Sequence, residues 1–351
     1  IFTTFNAIFG QFLGFLIPLI IVGLVTPAIA DLGKDAGKML LTTLFIAYGS
    51  TILAGLLAYG TGSWLFPNMV DSGLKSVEQI QMPAPYFNIE IPPMFGVMTA
   101  LVFAFLMGLI MAKTRAQTLI NIFHEFNEII TVAIQKAIIP LLPLYIFGIF
   151  LGMTCTGQVW HIMSVFLQVI IVIIALHIFI IVYLFIIAGG ITSKNPFKLI
   201  WTMIPAYLTA LGTSSSAATI PVTLRQSVKT GCSEEVASFT IPLCATIHMP
   251  GSTMKITACA LAVCLMTGMP HGFNLFFQFI LMLGIMMVAA PGVPGGAIMA
   301  ALAPLGSILG FSAEAQALMI ALYIALDSFG TACNVTGDGA IALIVDKIFK
   351  K

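Results

Sequence analysis

Asp327, Thr331, Asn334 and Asp338 stand in a segment that is otherwise largely apolar. The two acids are 11 residues apart, close to three helical turns, so they share a helical face at different depths. Thr331 and Asn334 fall on or near that face between them. A carboxylate in lipid costs about 2.5 to 3.5 kcal/mol on insertion scales, so each acid needs compensating surroundings. Within Asn334-Val-Thr-Gly-Asp338, Gly337 is expected to loosen the helix and free backbone carbonyls. Those carbonyls, the Asp338 carboxylate and the Asn334 amide oxygen would make a hard-oxygen environment suited to a small cation. The plainer alternative is polar pairing between helices, easier to accept for either acid alone than for both.

A second interrupted segment, Glu235 to Met266, carries His248 and Lys255 seven residues apart, two turns along one face. An unpaired ammonium in such surroundings is expensive. A salt bridge from Lys255 to Asp327 or Asp338 is therefore expected, with occupation of a bound cation's place as the alternative. No second ligand accompanies His248, which favours a hydrogen-bonding or protonatable role over metal ligation.

Two other stretches break apolar sequence without bringing charge. One runs from Leu211 to Ile220 around Ser214, Ser215 and Ser216; the other runs from Pro291 to Ala300 around Val293, Pro294 and Gly295. Small hydroxyl residues compete for backbone hydrogen bonds, and Pro and Gly interrupt a helical ladder. The serines also supply the hydroxyls and amides that a carboxylate needs near a helix terminus, against the alternative of a plain polar turn. There is no G-x-S-x-G elbow, phosphate loop or dinucleotide fingerprint, so hydrolase and nucleotide chemistry lack support.

The elements that must position these groups follow from composition. The 351 residues are 60% hydrophobic and 8% charged, with a mean hydropathy of +1.09, inside the polytopic membrane range. Fourteen Lys and Arg without an aromatic-interleaved basic run argue against nucleic-acid binding. The six cysteines show no metal-ligand spacing and read as small buried thiols. Apolar spans are expected at about 9–29, 39–62, 94–111, 117–150 and 159–188. Placing the turn with Lys34 and Lys38 on the cytoplasmic side puts Lys113, Arg115, Lys194 and Lys198 there too, and the loop with Asp71, Lys75 and Glu78 outside. Beyond Lys198 the arms on either side of each tip fall short of the roughly 20 residues a span requires. They read as two re-entrant hairpins, about 199–229 and 273–310, each followed by an interrupted helix, 235–266 and 313–350. That arrangement suggests an inverted repeat with its binding site at the midplane.

The sequence resembles the dicarboxylate/amino acid:cation symporter family, which has the glutamate-transporter fold. The resemblance is carried by Gly212-Thr-Ser-Ser-Ser-Ala-Ala-Thr-Ile-Pro221, Gly292-Val-Pro-Gly-Gly296 and Asn334-Val-Thr-Gly-Asp338, and covers essentially the whole chain. It implies an all-α polytopic membrane homotrimer of elevator type, with the family's first helix expected before Ile1. Residues 1–38 and 67–155 would belong to a scaffold, and 39–66 and 156–351 to a transport domain. By the same resemblance, Asp327 would receive a substrate's amino group. Ser214, Ser215, Ser216, Thr331 and Asn334 would line the substrate's backbone groups. Val293, Pro294 and Gly295 would form the gate. Asn334 and Asp338 would serve one sodium site, and Ala245, Thr246, His248 and Met249 would border sodium between the broken helix and the second hairpin.

The departures shape the expected function. Gly330 stands where acidic-substrate members carry Arg, so a side-chain carboxylate has no bidentate partner. An enlarged, uncharged pocket for a neutral L-amino acid is expected. His248-Met-Pro-Gly-Ser252 replaces the family's Asn-Met-Asp-Gly-Thr, so Pro250 removes an acid from a deep sodium site, and Lys255 stands nearby. The expectation is a sodium-driven symporter with one sodium site lost, in a plasma membrane (the bacterial cytoplasmic membrane) with a cytoplasmic C-terminus. The alternative is a proton-coupled or sodium-independent carrier or exchanger of amino acids or small carboxylates, coupled through His248 or Lys255.

Overall fold

The protein is described by a computed structural model covering residues 1–32, 38–69, 84–155, 159–290, 292 and 294–349. Lys34, Asp71, Lys75, Glu78, Pro291 and Val293 lie outside the described residues. The described residues form helices and their connections, without a strand. In chain order the helices are α1 (Phe2–Leu32), α2 (Lys38–Met69), α3 (Val97–Thr114), α4 (Gln117–Ala133) and α5 (Ile139–Cys155). They continue as α6 (Val159–Thr192), α7 (Pro196–Thr213), α8 (Ser216–Lys229), α9 (Glu234–Ile247) and α10 (Pro250–Thr267). The last are α11 (Phe273–Ala289), α12 (Gly296–Ser307), α13 (Ala313–Ala325) and α14 (Asp327–Phe349).

The span expected over 117–150 is divided between α4 and α5 by a π-helical turn, Ile134–Ile138. Pro140 has no N–H to offer the carbonyl of Lys136, and the ladder slips where that bond is lost. Among the described residues, five helical stretches are long and apolar enough to cross a membrane, six if the bent pair α13–α14 counts as one. Large side chains on the outer faces, including Phe45, Trp64 and Trp201, are about three-quarters exposed. Lipid is the solvent that such faces require, and the chain is a multi-pass membrane protein.

Two helix pairs turn back on themselves. Asn195 caps α7 by accepting from the N–H groups of Phe197 and Lys198, and Pro196 occupies the first helical position. The arms α7 and α8 have 18 and 14 residues, about 27 and 21 Å at 1.5 Å per residue, and pack together below a bilayer's width. The turn between them is made by Ser214, left-handed at φ +49°, and Ser215, whose Oγ accepts from the Ala218 N–H. The arms α11 and α12 form the second hairpin, with Gly295 left-handed at φ +74° beside its tip.

The two interrupted helices lie at the centre. Every residue from Pro250 to Cys264 in α10 and from Gly330 to Asp346 in α14 is buried, the pattern of helices surrounded by protein. The first break falls at His248 and Met249, where Pro250 starts a new helix. The second falls at Leu326, with a 63° bend immediately before Asp327. This corrects the expectation for Gly337: α14 is continuous through that residue, so no carbonyls are released there. Gly337 instead makes room, since a Cβ on it would lie 2.9 Å from Cε1 of His248. Gly251 allows α10 to approach α14 closely; a Cβ there would meet the Gly330 carbonyl at 2.6 Å. Around this centre α14 packs against α6, α7, α8, α9 and α10, and α10 against α2, while α1 packs mainly with α3, α4 and α5.

Candidate functional site

The two hairpin tips touch. Ser215 Oγ donates to the Gly292 carbonyl at 2.9 Å, and the Ala217 N–H donates to the same oxygen at 3.3 Å. Gly292 also lies against the Ala245 carbonyl, where a Cβ would be only 2.9 Å away. Past this contact the N–H of Gly295 donates to Asp327 Oδ2 at 2.8 Å. The second hairpin is thus tied to the first hairpin through Gly292 and to the start of α14 through Gly295. Pro294 is exposed and takes no part in the cavity wall.

Lys255 selects Asp327 from the two expected acids. Its Nζ lies 3.1 Å from Asp327 Oδ1, 3.3 Å from the Leu326 carbonyl and 3.5 Å from the Tyr323 carbonyl. It also sits 3.3 Å from the centroid of the Tyr323 ring, a cation–π contact. The α13–α14 bend turns these carbonyls toward the ammonium; each also accepts a backbone N–H at 3.1 Å, Tyr323 from Leu326 and Leu326 from Gly330, so Lys255 takes the second lone pair of each. Lys255 is wholly buried and Asp327 is 6% exposed. The expected enlarged, uncharged pocket is therefore corrected. A Cβ on Gly330 would lie 3.0 Å from Lys255 Nζ and 3.1 Å from its Cε, so lysine fills the space above the glycine and brings a charge.

A cavity of about 10 Å³, little more than room for one water, remains between the tips and α14. Ser214, Ser216, Thr331, Asn334 and Asp327 line it, as does Met249. Ser215 is committed to the hairpin contact instead. Thr331 Oγ1 donates to the Asp327 carbonyl at 2.9 Å. Asn334 Oδ1 accepts from the N–H groups of Gly251 and Ser252, and its Nδ2 donates to Ser252 Oγ at 3.1 Å. Ser252 and Tyr323, whose hydroxyls are 3.2 Å apart, also line it, as do Gly292 and Ala297; neither hydroxyl was assigned to the site from sequence. Tyr323 stands four residues before Asp327, a helical-neighbour spacing hidden by the break at Leu326. His177 was also missed: its Nε2 lies 3.0 Å from the Gly251 carbonyl.

Asp338 forms a separate buried group. Its Oδ1 is 2.8 Å from His248 Nδ1, and His248 Nε2 is 3.0 Å from Ser50 Oγ. Asp338 Oδ2 is buried without a hydrogen-bond partner. That orphaned, hard oxygen fits a small cation as a ligand. The Asn334 side-chain oxygen does not, because two backbone amides already occupy it, and Thr246 is exposed with Oγ1 donating to the Leu243 carbonyl. Ala245 and Met249 lie at the junction with the second hairpin, the former through its carbonyl.

Opposed re-entrant tips over two broken helices, with buried polar groups between them, define a membrane carrier fold. The sequence matches the sodium:dicarboxylate symporter family over residues 1–348, and the chain belongs to that family. It is 30% identical over 260 residues to excitatory amino acid transporter 3 of Oryctolagus cuniculus, covering 73% of this chain and 49% of that protein. It is 28% identical over 292 residues to excitatory amino acid transporter 1 of Rattus norvegicus, covering 80% of this chain and 52% of that protein. The chain spans about half the length of these curated relatives.

Proposed function

We infer that this chain forms the core of a secondary active symporter for a small solute with one carboxylate and an uncharged side chain. A neutral L-amino acid is the form suggested by sequence, and the relatives' names support an amino acid. The observation that carries the uncharged side chain is Gly330 beneath Lys255. The Lys255 charge is balanced by Asp327, so a second substrate carboxylate would enter without a cationic partner. In vesicles containing the protein, a solute with a single carboxylate and an uncharged side chain should accumulate under a sodium gradient and excess aspartate should compete poorly. Equal competition by aspartate overturns this reading.

Sodium would take Asp338 Oδ2 together with backbone oxygens, and its entry down a gradient would supply the driving force. The deeper site is lost where Pro250 replaces an acid. Elevator movement would carry 39–66 and 156–351 against the scaffold segments 1–38 and 67–155. The grouping of α1 with α3, α4 and α5 supports this division. Assembly as a homotrimer, residence in a bacterial cytoplasmic membrane and a cytoplasmic C-terminus complete the reading.

A sodium-independent carrier is the second reading, favoured by the imidazole of His248 already placed against Asp338. Uptake that persists when choline replaces sodium and collapses with the proton gradient would select it.

A further inference from the structure

We propose that the Lys255 ammonium is a built-in substitute for a substrate's α-ammonium, and that the cognate solute is a small 2-hydroxy or unsubstituted monocarboxylic acid. This rests on the transport reading above and names the substrate class of the same site. An ammonium has three donors, and Lys255 has three oxygens around it: Asp327 Oδ1, the Leu326 carbonyl and the Tyr323 carbonyl. Its burial between Gly330 and the Tyr323 ring holds it there. Asp327 is equally committed, with Oδ1 on Lys255 and Oδ2 on the Gly295 N–H. The cavity holds little more than one water, so any solute must part the hairpin tip; an amino acid's ammonium would then also stand as a second cation beside Nζ on Asp327. Like charges sharing one carboxylate in a buried site repel strongly. A hydroxyl brings no such charge, and the hydroxyls of Ser214, Ser216, Ser252 and Thr331 can donate to or accept from it. Ser214 and Ser216, beside the start of α8, offer donors to the solute's carboxylate.

The test uses the full chain in liposomes and pairs matched in carbon skeleton: L-lactate with L-alanine, glycerate with L-serine, and 2-hydroxyisovalerate with L-valine. Uptake of each labelled acid is measured, with thermal protection of the purified protein as a second readout. Each hydroxy acid should be preferred by about tenfold or more over its amino partner, as expected when one of them leaves a charge unpaired or repelled. Equal or better performance by the amino acids overturns the proposal and leaves the transport reading standing. Preference for aspartate or succinate over every pair member overturns the transport reading and the proposal with it. In Lys255→Met the order should reverse, because an amino acid's ammonium can then occupy the vacated place on Asp327. Parallel loss of both classes in a folded Lys255→Met protein would make Lys255 structural and overturn the proposal. If that variant fails to fold, Lys255→Met combined with Asp327→Asn removes both charges and should abolish the preference; retention of the preference overturns the proposal.

Discussion

At Lys255 and Asp327, two ions have left water and pair with each other, the ammonium also reaching the Tyr323 and Leu326 carbonyls and the carboxylate the Gly295 N–H. Removing one partner strands the other, typically at about 3–5 kcal/mol, whereas removing both together is often close to neutral. Lys255→Met and Asp327→Asn should each lower the unfolding midpoint in detergent, and the double variant should recover most of the loss. Additive losses in that cycle would mean that the two groups are not energetically coupled. His248→Ala should cost about 1–3 kcal/mol by leaving Asp338 Oδ1 without its partner. Ser50→Ala should cost less, since the imidazole keeps its stronger contact with the carboxylate. The pairing of Lys255 with an acid was legible in the sequence because burial of an ammonium demands it. Which acid it meets was not, since both lie on one face of the same helix and only the bend at Leu326 sets which one faces α10.

Two glycines at helix junctions have different physical roles, one for close approach and one for backbone conformation. A Cβ at Gly251 would strike the Gly330 carbonyl at 2.6 Å and Cys333 Cβ at 2.7 Å, so the obstruction includes backbone. Gly251→Ala should separate α10 from α14 and destabilise the protein by about 1–3 kcal/mol, measured as a shift in unfolding midpoint. Gly295 has open space around its missing Cβ, but its φ of +74° disfavours an L side chain. Gly295→Ala should cost about 1 kcal/mol through backbone strain and slow uptake more than it reduces thermal stability. Unchanged uptake kinetics would remove Gly295 from any gating role. Both hairpins were readable because short apolar arms flank residues unsuited to helices. The breaks were less so: Pro250 marks the first, but Leu326 is no helix breaker, whereas Gly337, which could be one, lies inside a continuous helix.

Across the whole molecule, α1 and α5 face α12 and α13 along an apolar crevice of about 300 Å³ that includes Gly14 and Ala317. If one group of helices travels past the other, fixing this boundary should arrest transport while leaving the substrate site formed. With Gly14→Cys and Ala317→Cys together, a bifunctional maleimide should abolish uptake yet retain thermal protection by solute. A monofunctional maleimide should leave most uptake intact. Full uptake after verified bridging would exclude sliding at this boundary.

Much of the architecture was determined by sequence alone. Apolar runs of membrane-spanning length, two arm pairs too short to span and polar residues at helical spacing require a polytopic helical membrane protein with a buried polar centre. These features are local, set by hydropathy, backbone chemistry and a 3.6-residue period. Only the tertiary structure decided how the polar groups were shared. It placed Lys255 on Asp327 and His248 on Asp338, and it filled the space above Gly330. Those outcomes depend on helix bends and on how closely backbones approach, quantities that arise between segments distant in sequence. A missing side chain at Gly330 therefore left room that a lysine from another helix occupies.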